Sequence, residues 1–158
     1  METKDQHQFL REVLNDDIGA ILLCETMFGI SQTWDDLVDG DNPVDSAQVN
    51  LMMWRALVEL PGNPFYVKNI DRLQPIIKMS IIDWLTANGF EAAKEDNDLA
   101  ISFVIRDSLT YLVIACAEIV RGPSDAIILS PAIRRFFHDE SFAEYMKGLS
   151  DERQVTES

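Results

Sequence analysis

The sequence predicts an all-α fold, a single-domain helical bundle of five to seven helices around two hydrophobic central ones. Three observations carry this. Apolar residues recur at intervals of three and four and do not alternate, which is the helical period. A hydrophobic content of 47% with 25% charged residues is the balance of a folded globular domain, not of a disordered chain. At 158 residues the chain is long enough for one core and needs no second domain.

Taken in order, residues 4–14 form a first amphipathic helix, and Asn15-Asp16-Asp17 offers an N-cap for a second helix over 18–33. Its segment 18–28 is apolar nearly all round, which marks a central helix. An acidic stretch and the turn signal Asn42-Pro43 follow. Asp45 or Ser46 caps a third helix to residue 60, with Val49, Met52, Met53, Ala56, Leu57 and Leu60 facing the core, and Pro61 to Pro64 end it. A fourth helix spans 71–88 and stops at Asn88-Gly89, leaving 91–97 as a loop. The long apolar pattern over 98–121 reads as one uninterrupted helix closed by Gly122-Pro123. Segment 103–120 of it is the second central helix, packed on 18–28. Ser130-Pro131 supplies the N-cap and first residue of a short helix over 132–137, and 141–147 forms another. The helical domain is thus 1–149, and 150–158 is expected to be a disordered tail.

Composition then limits function. The net charge is −14, and residues 1–60 hold 12 acids against 3 bases. Such a field repels nucleic acid and anionic membrane surfaces and attracts basic partners or divalent cations. Residues 1–8 are polar and mixed in charge, which predicts no signal peptide, and the apolar stretch 109–120, broken by Glu118, is shorter than a membrane span. Cys24 and Cys116 lie inside apolar runs and read as unpaired core thiols of a reducing cytoplasm.

The feature closest to chemistry is Trp34-Asp35-Asp36-Leu37-Val38-Asp39-Gly40-Asp41, four carboxylates in the middle of a gap without Lys or Arg from Arg11 to Arg55. Carboxylates so crowded require water, a cation or a basic partner. If the second helix continues beyond Thr33, then Glu25, Gln32, Asp36 and Asp39 share one of its faces. Asp107 and Glu118, eleven residues apart, are likewise nearly eclipsed on the later helix. Facing carboxylates on two helices build divalent-metal sites, so Glu25, Asp35, Asp36, Asp39, Asp107 and Glu118 form a candidate Mg²⁺ set. The competing expectation pairs these acids with Arg55, Arg106 or Arg121 and needs no cofactor. A calcium loop around Gly40 lacks the EF-hand pattern, and nucleophile motifs, phosphate-binding glycine loops and zinc-spaced Cys/His sets are absent from the sequence.

Asp35-Asp36-x-x-Asp39 resembles the Asp-Asp-x-x-Asp motif of isoprenoid synthases, whose helical carboxylates hold magnesium against a diphosphate. The likeness stops at those five positions, because Ile101 and Ile105 stand where that family's second motif needs Ser and Glu after Asn97. The strings at 32–41, 56–66, 103–108 and 133–140 together resemble a family of small uncharacterised bacteriophage and prophage proteins. That likeness implies a bacterial host cytoplasm or a virion and brings no activity. The sequence therefore predicts a non-enzymatic acidic protein, an accessory or inhibitor that engages a protein partner or its own copy. Trp34, Asp41, Phe65 and Tyr66 are its candidate interaction residues. Trp34 is expected to anchor the acidic turn in the core, where truncation costs about 3–5 kcal/mol. The alternative is a magnesium-dependent helical enzyme acting on a phosphorylated small molecule.

Overall fold

The computed structural model describes the backbone of residues 3–157 and the burial of 6–151. It is all α, 84% helical and without strands among the described residues, in seven helices. Several of these are broken into shorter segments. The order is α1 (Thr3–Val13), α2 (Ile18–Asp39), α3 (Ser46–Trp54), a π-helical turn (Arg55–Glu59), α4 (Leu60–Gly62), α5 (Pro64–Lys68), α6 (Ile70–Ala93), α7 (Asp96–Ile105), α8 (Thr110–Arg121), α9 (Pro123–Phe137) and α10 (Phe142–Glu157).

The central pair meets as the apolar runs predict. From α2 come Leu23, Cys24 and Met27, and from α8 come Leu112, Val113 and Cys116, all buried. Both thiols are free, and their Sγ atoms lie 4.0 Å apart. The bond that Cys24 donates to Cys116, together with burial, pushes the Cys24 thiol well above its usual range, so it stays protonated. Leu10 and Leu14 near α1, Leu73 and Ile77 of α6 and Ile133 of α9 complete the core. Coverage of α2 is one-sided, because Ile18 is 71% exposed.

Boundaries depart from the sequence pattern where tertiary contacts outweigh local signals. The second helix continues through the acidic stretch: Asp17 caps it by accepting the Ala20 N–H at 3.0 Å, and Gly40, at φ +70°, ends it. Of the two expected caps of α3 Asp45 serves, in a capping box with Gln48, but Met53 and Leu57 point outward, while Met52, Ala56 and Leu60 pack on the core. The Pro61–Pro64 punctuation is a corner rather than an end. Asn63 accepts the Tyr66 N–H at 2.9 Å to cap α5 and donates to the Gly19 carbonyl at 3.0 Å. Gly89 does not stop α6, which runs on to Ala93 and is closed by Lys94 in the left-handed region.

The expected single helix over 98–121 is interrupted between Ile105 and Thr110. Ser108 Oγ donates back to the Ile105 carbonyl at 2.7 Å, and the amides of Thr110 and Tyr111 bond three residues back, so the backbone tightens out of α geometry. By length and mean hydropathy (1.7) the run Asp96–Arg121 is nevertheless apolar enough to cross a membrane, longer than 109–120 suggests, and 44% of that window is buried in the bundle. Pro123 rather than Pro131 begins α9, with Pro131 inside it. Residues 150–157, expected as a tail, continue α10, whose start is a Ser141–Glu144 capping box. Ser158 lies outside the described residues.

Candidate functional site: an acidic cleft at the end of α2

Asp35 and Asp39 stand four residues apart on one face of the last turns of α2, and Asp41 follows in the turn. This end of a helix carries the negative pole of the backbone dipole, and α2 has no basic residue in its last turn. Acids placed there are unfavourable by about 0.3–1 kcal/mol each. They face Glu91 from the end of α6, Arg106 from the break after α7, Glu140 from the turn before α10, and Tyr145 and Asp151 from α10. Together these residues line an open cleft of 690 Å³.

One cation thus stands among six carboxylates, and its charge is already used. Arg106 donates to Glu91 and lies 3.8 Å from Asp35. Burial opposes the charge of its guanidinium, but Glu91 and Asp35 outweigh burial and hold it protonated. Two further bonds lock this frame. The Trp84 indole N–H donates to Asp35 at 3.1 Å, and the Tyr145 hydroxyl donates to Glu91 at 2.8 Å while pairing with Ser102. Burial is the main reason that the Tyr145 hydroxyl is pushed up to about 12. Among the described residues Asp39 has no such partner. Burial and the Asp35 charge, against the pull of Arg106 and with the added repulsion of Asp41 and Glu91, push it up to about 6.

The six carboxylates of the candidate metal set do not converge. Asp35 and Asp39 share the cleft, but Asp36 turns to Asn42 Nδ2 at 3.1 Å and to Gln32. Glu25 pairs with His7 of α1, Asp107 with His138 at 3.0 Å, and Glu118 with Arg72 at 2.8 Å. Among the described residues no group of three or more His, Cys, Asp or Glu is arranged to hold a metal ion. Of the three arginines expected to pair with the acids only Arg106 does so in the cleft. Arg121 instead donates to the carbonyls of Glu12 and Val13, and Arg55 lies against Gly29.

The interaction candidates also separate. Asp41 lines the cleft. Tyr66 is 7% exposed and belongs to the core, and Phe65 packs half-buried with its Cβ close over Gly19. Trp34 is half-buried rather than a core anchor, with its ring 4.9 Å from that of Trp84. Glu91, Glu140, Tyr145 and Asp151 are cleft residues with functional side chains that sequence patterning does not mark. The signal for Glu91 is its seven-residue spacing from Trp84 on one face of α6, which ending that helix at Gly89 conceals. No family model, curated protein or solved structure matches the chain.

Proposed function

We propose that the chain is a non-enzymatic acidic interaction protein whose cleft at the end of α2 receives a basic, amphipathic segment of a partner protein. The observation that carries this reading is the charge of the cleft: six carboxylates, a single arginine tied to two of them, and Asp39 left repelled by its neighbours. A row of Lys or Arg relieves that repulsion without a dedicated cage. Leu149 in the cleft wall gives the apolar side chains of such a segment a place to rest. An accessory or inhibitory role in a bacteriophage setting, in the host cytoplasm or in the virion, rests on the motif likeness alone.

The test is binding of a fluorescein-labelled helical peptide of Lys and Leu, read by anisotropy. The paired change Asp39→Asn with Asp41→Asn is expected to weaken binding about tenfold, near 1.4 kcal/mol. Asp71→Asn with Asp125→Asn removes equal charge outside the cleft and is expected to weaken it far less. Equal losses in the two variants would mean that net charge alone attracts the peptide. The alternative reading, the magnesium-dependent enzyme, rests on the Asp35-Asp36-x-x-Asp39 cluster of the sequence, since no group among the described residues is arranged to hold a metal ion. It predicts a response to divalent ions that sodium does not give.

A further inference from the structure

A second cavity, of 220 Å³, shares Arg106 with the acidic cleft but is otherwise of opposite character. Its walls are chiefly Met27, Ile30, Trp34, Leu60, Ile77 and Trp84. We infer that this cavity binds a small, neutral, apolar molecule of roughly ten heavy atoms, an aromatic ring system or a short hydrocarbon chain. Size sets the class. A dry apolar cavity of about 150 Å³ accommodates benzene, so 220 Å³ suits a slightly larger ring and excludes a peptide helix.

Charge sets the neutrality. Arg106 is engaged by Glu91 and Asp35, the Ser80 hydroxyl donates to the Ile76 carbonyl at 2.9 Å, and the Trp84 N–H is held by Asp35. No buried side-chain polar atom among the described residues lacks a partner, so the buried part of these walls calls for no charged ligand. The walls are also fixed in place. Met27, Ile30 and Ile77 are 7–9% exposed, and the two indoles brace each other at 4.9 Å.

Two irregularities of the backbone meet at this cavity. The π-helical turn Arg55–Glu59 places Ala56 in the wall, and the break between α7 and α8 places both Arg106 and Leu109 there. An unbroken α-helix at either position would present different side chains, and π-helical turns recur at functional sites. The small Ala56 keeps the space open.

The probe is 4-bromotoluene, a neutral ring of the right size whose bromine quenches indole emission on contact. Trp54→Phe leaves Trp34 and Trp84 as the two remaining indoles of a chain with three. In that background the probe is expected to quench about half or more of the emission along a saturating curve, reversed by unbrominated p-xylene. Ala56→Phe, which fills the cavity, is expected to leave only weak linear quenching, and Ala56→Met, a gentler filling, to weaken saturation in proportion. Far-UV circular dichroism establishes that each variant is folded. Linear quenching in the Trp54→Phe protein, or saturation as strong as in that parent persisting in folded Ala56→Phe or Ala56→Met, would overturn the inference. The readout is separate from the cleft test, since it follows Trp34 and Trp84 and leaves Asp39 and Asp41 unchanged.

Discussion

Asp39 binds its proton more tightly in the folded chain than in the unfolded one, about 6 against 3.8. Between those values the native state holds the extra proton, so the Asp39 contribution to stability is greatest below about pH 4 and declines as pH rises through 6. Asp39→Asn is therefore expected to raise the melting temperature at pH 7 and to flatten the pH 4–6 part of the stability profile. Thermal melts at half-unit pH steps check this, and an Asn variant less stable than the parent at pH 7 would assign Asp39 a favourable native partner. Trp34 tests the packing in the same way. Because it is only half-buried, Trp34→Ala is expected to cost about 2 kcal/mol by denaturant unfolding, below the 3–5 of a full core truncation.

Glycines in the helices separate positions where space is occupied from those where it is not. A Cβ at Gly19 would stand 2.8 Å from Cβ of Phe65, an atom with no freedom to swing away, so Gly19→Ala is expected to push α2 off α5 and to cost about 1–3 kcal/mol despite the gain in helix propensity. A Cβ at Gly89 meets nothing within 4 Å, and there Ala is expected to stabilise by about 0.5–1 kcal/mol. Chemical denaturation of both variants should give opposite signs. Gly89 also shows why the sequence is only partly legible. The central apolar runs, the Asp45 cap and the all-α class follow from periodicity and local bonds, which the chain carries in each window. The extension of α6 past Gly89 and the break at 106–109 depend on the pairing of Glu91 with Arg106, fifteen residues apart, and on the Ser108 bond. No local pattern encodes the first. The candidate site was legible by half for the same reason: Asp35, Asp39 and Asp41 announce themselves as a cluster, whereas Glu91, Glu140, Tyr145 and Asp151 join it only through tertiary packing.

For the molecule as a whole the governing quantity is the charge of −14. Sodium chloride screens this self-repulsion and is expected to raise the melting temperature modestly. Magnesium chloride at matched ionic strength is expected to agree with it to within about a degree, whereas a specific site at a hundredfold excess over Kd would add about 2.7 kcal/mol and several degrees. A magnesium-specific rise lost in Asp39→Asn would favour the enzyme reading. The most direct measurement is amide chemical-shift mapping of the nitrogen-15-labelled chain during titration with the Lys/Leu peptide. Saturable shifts are predicted at Asp35 to Asp41, Glu91, Arg106 and the first turns of α10, around the cleft. Shifts spread evenly over the acidic surface, or centred on α8 and α9, would contradict the assignment of the cleft as the interaction site.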